Sequence, residues 1–522
     1  MVASSQPLAS AAGLRILDQG GNAADAAVAT AAALAVTEPC NTGLGGDCFA
    51  LYYCADTGRV TAMNSSGRAP AALDLARIKA DGFAAGLPIL HPHTVTVPGA
   101  AAGWCECLER HGTLPLADVL APAIRLAAEG FPVGPNTAFI WKIGATNQLL
   151  KSPGGEQLLV DGRAPMAGQM FLNPGLAHTL EQLADRGREV FYQGEIGESI
   201  VAALRDAGGV MSESDLAGHR VTWDEPISTV FEGLRVFECP PNGQGLAALM
   251  ALSILREFDL GDDPYAADRI HFMIEAMRLA FADAHRFIAD PAFASLPVAE
   301  LLSEDYARGR SKSIDPRRAN RQASHGAPLG GSDTVYFCAV DQAGNACSFI
   351  NSNYMSFGTG IVPDGLGFSL QNRGIGFSLD PTHPNALEPG KRPFHTIIPG
   401  MITRVADGSL FAPFGVMGGF MQPQGHMQVV VAMARDGVDP QEALDRSRFN
   451  LSTGSANSAV VLESGFPEAT VRELERRGHD PSVVSGAARI QFGRGQIIRR
   501  DPGGVLWGGS DPRADGCAVA QL

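Results

Sequence analysis

Residues 330–340 read Gly-Gly-Ser-Asp-Thr-Val-Tyr-Phe-Cys-Ala-Val, and the change of character between Asp333 and Thr334 decides how the rest of the chain is read. The stretch before it, from Ala307 to Asp333, is rich in Arg, Ser, Gly and Pro and lacks apolar periodicity. That composition predicts a mobile, solvated surface segment. After it, Thr334–Val340 and Ala346–Asn351 are apolar at nearly every position and flank the turn residues Asp341–Asn345. They predict a β-hairpin covered on both faces. A hydroxyl residue at the head of such a strand has two readings. A threonine there is more often a β-branched strand former. Directly behind a flexible Gly-Gly-Ser-Asp tail, it is also what an N-terminal nucleophile precursor requires. The tail bends back, the Thr334 hydroxyl attacks the Asp333 carbonyl, and cleavage leaves Thr334 as a new terminus whose α-amine, with a pKa near ~8, serves as its own base.

Upstream of this junction, Asn22 is placed to cap an Ala-rich, almost uncharged segment from Ala23 to Val36. A helix that apolar has to be buried on most sides. Glu38-Pro39 ends it, and the run Asn41–Asp47 makes a glycine turn into a strand over Cys48–Tyr53. These glycines lack the G-x-G-x-x-G spacing, so they read as a tight turn against the core rather than a phosphate cradle. From about Val97 to Asp290 the pattern is mostly helical, most plainly over Pro264–Ala289, where Ile270, Met273, Met277 and Phe281 share one face. Beyond Asn351 strands alternate with helical segments such as Gln422–Ala434 and Pro467–Arg477. Sheets sandwiched between helices follow.

The bulk numbers narrow the function. The 522 residues carry 45% hydrophobic and 18% charged side chains, enough apolar surface for a large core. A net charge of −15 repels polyphosphate, which excludes nucleic acid and anionic membranes as expected partners and leaves small molecules. The nine cysteines form no paired C-x-x-C knuckles; only Cys105 and Cys107 lie close together. They predict buried thiols in a reducing compartment. No basic n-region with an apolar h-region opens the sequence and no long uninterrupted apolar stretch follows, so the cytoplasm is the expected location. The opening residues nevertheless read like the interior of a domain, which leaves room for a strand or leader upstream.

Eight segments resemble the γ-glutamyltransferase family, in that family's order and across nearly the whole chain. They are MVASSQPLASAAGLRILDQGGNAADAAVA from Met1, EPCNTGLGGDCFALYY from Glu38, TVTVPGAAAGW from Thr94, DTVYFCAVDQAGNA from Asp333, FGTGIVPDGLGFSLQN from Phe357, KRPFHTIIPGM from Lys391, GVMGG from Gly415 and GGSDPRADG from Gly508. The resemblance implies a four-layer αββα sandwich, an α+β fold of the N-terminal-nucleophile hydrolase type. It also implies a precursor that cuts itself between Asp333 and Thr334. The products would be a large chain, 1–333, ending in the segment 307–333, and a small chain, 334–522, together forming one catalytic unit. The chemistry implied is attack on an amide carbonyl, an acyl-enzyme, and release by water or an amine, with no metal or cofactor.

Carried over residue by residue, Thr334 matches the family nucleophile and Ser352 the threonine whose hydroxyl bonds it. Gly418-Gly419 matches the glycine pair of the oxyanion hole, and Arg68 stands two positions after the family arginine that clamps the substrate carboxylate. The departures concern the substrate. Where the family has N-N-(Q/E)-x-x-D, this chain reads Gln371-Asn372-Arg373-Gly374-Ile375-Gly376, so both acceptors for an α-ammonium are lost. Arg373 offers donors only and suits a carboxylate. The family's Ser-Ser pair becomes His395-Thr396, and an asparagine becomes Tyr354. His395 has two even readings, as a substrate ligand and as a structural hydrogen-bonder. These changes resemble a side branch of cephalosporin-acylase-like members. The expected activity is hydrolysis or transfer of γ-glutamyl or related small amides. The alternatives are a glutaryl-type amidase without γ-glutamyl specificity and a ligand-binding scaffold without turnover.

Overall fold

The computed structural model describes residues 1–522 apart from Ala85, 321–333, Ala456 and Leu522. Asp333, the residue before the expected cut, lies outside the described residues.

Two antiparallel sheets carry the fold. Strands β1 (Val2–Ser4), β2 (Asp47–Cys54), β3 (Arg59–Ser65), β4 (Thr222–Asp224), β5 (Ile227–Phe231), β6 (Leu234–Glu238), β7 (Val335–Val340), β8 (Ala346–Ser352), β9 (Gly400–Arg404), β10 (Leu410–Met417), β11 (Arg494–Arg500), β12 (Leu506–Ser510) and β13 (Cys517–Val519) build them. The first sheet has seven strands in the order β13-β1-β7-β8-β2-β3-β4, and the second has six in the order β12-β11-β10-β9-β6-β5. They lie face to face with β7 over β10 and β11. Helices α1 (Pro7–Asp18), α2 (Ala23–Thr37), α3 (Ala100–His111) and α4 (Leu116–Glu129) share one apolar core with the first sheet. Helices α5 (Gly245–Leu255), α6 (Ala267–Phe287) and α7 (Met421–Ala434) share a second core with the second sheet. Helix, sheet, sheet, helix is the αββα sandwich.

The local chemistry explains these elements. Asn22 accepts hydrogen bonds from the Ala24 and Asp25 N–H groups, and Asp25 accepts one from the Asn22 N–H, a reciprocal cap that starts α2. Every residue of α2 is buried. Both β7 and β8 are buried along their whole length, as their largely apolar runs lead one to expect. All nine cysteines are free thiols. Among the described residues no helix is long and apolar enough to cross a membrane.

One expectation needs correcting. The surface segment does not begin at Ala307. Residues Glu304–Ser311 form a helix with Ala307 and Ser311 buried, the Ala319 N–H donates to the Arg477 carbonyl at 2.8 Å, and the Asn320 N–H donates to Glu275 at 3.0 Å. One arginine read as solvated has a buried partner: Arg310 meets Asp283 at 3.0 Å. The chain is therefore tied to the body as far as Asn320.

Candidate active site

Thr334 stands immediately before β7, fully buried. The turn after Val340 sets the β7–β8 register, which pairs Val335 with Asn351 and Val340 with Ala346. One step further along this ladder, Ser352 falls across from Thr334. Their hydroxyl oxygens are 3.1 Å apart. Ser352 Oγ also accepts from the Tyr354 N–H at 2.8 Å and from Arg373 Nη2 at 3.2 Å. Those two donors occupy its lone pairs, which turns the Ser352 proton outward toward an acceptor such as Thr334 Oγ1.

Arg373 is fully buried, with Nη1 donating to Thr396 Oγ1 at 2.7 Å and its guanidinium 4.0 Å from the centre of the Tyr354 ring. Its Nε has no acceptor among the described residues. Burial lowers its pKa to about 10, partly offset by Tyr354 and Asp47, so it stays cationic at neutral pH. Gln244 continues the chain of contacts, its Nε2 donating to the Thr396 carbonyl at 2.6 Å and to the Gly419 carbonyl at 2.8 Å.

Gly418 and Gly419 hold φ values of 130° and 58°, between the end of β10 and the first turn of α7. A side chain at φ 130° is strained, which explains the glycine at 418. Gly419 is buried, and among the described residues neither glycine N–H donates to an acceptor. A buried backbone donor without a partner is rare in a folded protein. The buried Gly419 N–H and the half-buried Gly418 N–H, side by side just before a helix, are suited to receive an anionic oxygen. Thr334, Ser352, Arg373, Thr396, Gln244 and Gly419 thus form one hydrogen-bonded belt, with a fixed cation in its middle and unpaired N–H donors at its end.

Two predicted residues stand apart from this belt. Arg68 donates from Nη1 to Asp290 and the Gly390 carbonyl, each at 3.0 Å, and among the described residues no hydrogen bond joins it to another predicted site residue. His395 is fully buried, its Nε2 3.0 Å from Asp47 Oδ2 and its Nδ1 3.4 Å from the Ile397 N–H. Of its two readings, the structural hydrogen-bonder fits this geometry. Sequence reasoning missed Asp47 and Gln244. Asp47 had one visible signal, a lone carboxylate opening an otherwise apolar strand; Gln244, in the loop Pro241–Gln244, had none.

The profile of the family described as gamma-glutamyltranspeptidase matches residues 9–521. The chain belongs to the gamma-glutamyltranspeptidase family. Among curated relatives, it is 37% identical to the glutathione hydrolase-like YwrD proenzyme of Bacillus subtilis, over 99% of this chain and 98% of that one. It is 36% identical to the oxamate amidohydrolase proenzyme of Klebsiella pneumoniae, over 98% and 96% of the two chains. Among solved structures, the cephalosporin acylase from Bacillus halodurans superposes with a TM-score of 0.93 at 46% identity, covering 100% of this chain and 95% of the other. This gamma-glutamyltranspeptidase-family chain is accordingly an enzyme of the self-processing hydrolase and acyl transferase class.

A second cluster of ionisable groups lies elsewhere: ligand-type atoms of His271, Glu275 and His479 come within 4.8 Å of one another. Their chemistry favours a hydrogen-bonded core over a metal centre. His271 Nδ1 and His479 Nε2 face each other at 2.7 Å, His271 Nε2 faces the Asp315 carbonyl at 2.8 Å, and Arg278 stands 3.4 Å from Glu275. The nitrogens a metal needs are spent on each other, and an arginine already balances the carboxylate.

Proposed function

We propose that this enzyme hydrolyses, or transfers the acyl group of, small amides whose acyl part ends in a carboxylate, with Thr334 as nucleophile after cleavage at Asp333-Thr334. In maturation the Thr334 hydroxyl adds to the Asp333 carbonyl. The Asp333–Thr334 C–N bond breaks in favour of an ester, and water hydrolyses the ester to a carboxylate at 333 and a free α-amine at 334. In turnover that amine takes the Thr334 Oγ proton as the oxygen attacks the substrate carbonyl. The oxygen that becomes negative is met by the Gly418 and Gly419 N–H groups. Collapse expels the amine, which leaves with the proton. Water then cleaves the acyl-Thr334 ester with the same α-amine as base. Ser352 holds the Thr334 hydroxyl in line throughout.

The observation that carries the substrate half of this reading is Arg373. It is a buried cation bonded to the hydroxyl that touches the nucleophile, and its Nε–H has no acceptor among the described residues. A guanidinium, which only donates, has nothing to offer an α-ammonium, whereas a carboxylate at the end of the acyl chain completes it. The oxamate and cephalosporin names of two relatives support a clientele beyond γ-glutamyl compounds.

The experiment compares glutaryl p-nitroanilide with γ-glutamyl p-nitroanilide. In a site that grips the ammonium, losing it strands buried acceptors at about 1–3 kcal/mol each. Here glutaryl anilide is expected to have a kcat/KM equal to or above that of the γ-glutamyl compound, and Arg373→Gln is expected to narrow the gap. A preference for γ-glutamyl anilide of about a hundredfold or more means that the ammonium has a partner, and the carboxylate-only reading is then wrong.

A further inference from the structure

Arg373 is stretched between two hydroxyls that belong to different parts of the molecule. Ser352 ends β8 in the first sheet, and Thr396 lies in the segment leading into β9 of the second. What fixes the distance between those hydroxyls also fixes where the guanidinium points. Asp47 and His395 are placed to do this. Asp47 pairs directly with Ser352 in the β2–β8 ladder, and His395 is the chain neighbour of Thr396. The 3.0 Å bond between them therefore runs alongside the Ser352–Arg373–Thr396 bridge and joins the same two elements.

Both ends of the bond are held firmly. Asp47 Oδ1 accepts the Gly67 N–H at 3.0 Å, while the His395 N–H donates to the Asn242 carbonyl at 2.9 Å and its carbonyl accepts from the Gln244 N–H at 3.0 Å. A Cβ on Gly46 would stand 2.3 Å from the Ser352 carbonyl, so the glycine allows the close approach that delivers Asp47 to this spot. His395 Nδ1 accepts from the Ile397 N–H, which leaves Nε2 as the nitrogen that donates to Asp47. The histidine is neutral, because burial, with Arg373 and Arg392 nearby, holds its pKa far below the usual value. A fold that needed only packing here would do as well with apolar side chains, since burying an ionisable pair is costly.

We propose that Asp47 and His395 form a positioning pair for acyl selection: they hold Ser352 and Thr396 at the separation that aims Arg373 at the substrate carboxylate. This rests on reading Arg373 as the carboxylate partner. A second consequence follows from charge. The ionisable groups around Asp47 are Arg373, Arg392, His395 and the Cys48 thiol of its own strand. Burial raises the Asp47 carboxyl to about 7 against the pull of Arg373, the Gly67 and Gly99 N–H groups and Arg392. Below that pH Asp47 is neutral and the Arg373 charge is unopposed. Above it the Asp47 anion competes with the substrate for that charge.

The test measures KM and kcat for glutaryl and butyryl p-nitroanilide, which differ by the carboxylate, across the pH range either side of about 7. Wild-type enzyme is expected to favour the glutaryl compound, with a glutaryl KM that rises through that range and a flat butyryl KM. His395→Ala is expected to raise the glutaryl KM about tenfold or more and leave butyryl kcat/KM within about threefold, and His395→Gln, which keeps a donor toward Asp47, to restore the difference. Asp47→Asn is expected to flatten the pH dependence of the glutaryl KM. Complete processing on a denaturing gel and a cooperative thermal transition well above the assay temperature certify that each variant is folded. Equal losses on both substrates, or variants indistinguishable from wild type while the wild-type preference stands, overturn the positioning role alone. A wild-type enzyme without a glutaryl preference overturns the Arg373 reading and this proposal together.

Discussion

A nucleophile that supplies its own base has to be a hydroxyl residue whose backbone nitrogen is set free, and only a residue at a cut site meets that condition. Thr334→Ala is therefore expected to give one folded, inactive chain of 522 residues, where wild type gives two bands meeting at Thr334 on a denaturing gel. An intact wild-type chain with full amidase activity would falsify the mechanism. Thr334→Ser keeps the hydroxyl but loses the methyl group that restricts χ1, so it is expected to cut more slowly and still reach two bands. The sequence reveals a residue of this kind when its neighbours are chemically distinct. Thr334 follows an abrupt change of composition, and the resemblance to the family, not the local pattern, assigns a role to it and to Ser352. Asp47 and Gln244 were hidden because their partners are far away in sequence: Asp47 bonds His395, 348 residues on, and Gln244 bonds Thr396 and Gly419, 152 and 175 residues on. Arg68 shows the opposite case. It stands near the right motif, but the fold gives it to Asp290.

The two sheets meet where β7 crosses β10, and that contact is set by a glycine and a tyrosine. A Cβ on Gly415 would stand 2.5 Å from the Tyr336 ring, which is fully buried and has its hydroxyl 2.8 Å from Ser348 Oγ. The ring has no room to retreat. Gly415→Ala is expected to cost about 1–3 kcal/mol of stability by overpacking, measured by urea unfolding in the Thr334→Ala background, where processing does not complicate the transition. Because Tyr336 lies two residues from Thr334, the processed Gly415→Ala enzyme is also expected to lose kcat. Strands and helices of this kind were legible from local pattern: the α2 cap, the α6 stripe and the β7–β8 hairpin are all written in contiguous residues. The extent of the surface segment was not legible, because whether an arginine is solvated depends on an acid elsewhere in the fold. Arg310 finds Asp283, and what composition assigned to solvent is anchored as far as Asn320.

At the scale of the whole molecule, the order of the strands determines what a cut at Thr334 does. In the first sheet β1, from residues 1–333, lies between β13 and β7, both from residues 334–522, and β8 from the second part pairs with β2 from the first. In the second sheet β9 from residues 334–522 pairs with β6 from residues 1–333. Neither chain holds a complete sheet, and each alone would expose open strand edges and half of two apolar cores. Other bonds cross the same divide: the Met1 ammonium donates to the Val340 carbonyl at 2.8 Å, and Asp515 accepts the Asn136 and Thr137 N–H groups at 3.1 and 3.0 Å at the start of the helix Pro135–Asn147. Cleavage therefore changes connectivity without creating two bodies. The processed enzyme is expected to elute from a sizing column at the same position as the Thr334→Ala precursor, with the two bands separating only in denaturant. Residues 1–333 expressed alone are expected to be insoluble or unfolded by circular dichroism, and 334–522 likewise. A small chain that elutes by itself as a cooperatively folding protein would mean that the interleaved sheets are not what holds the molecule together.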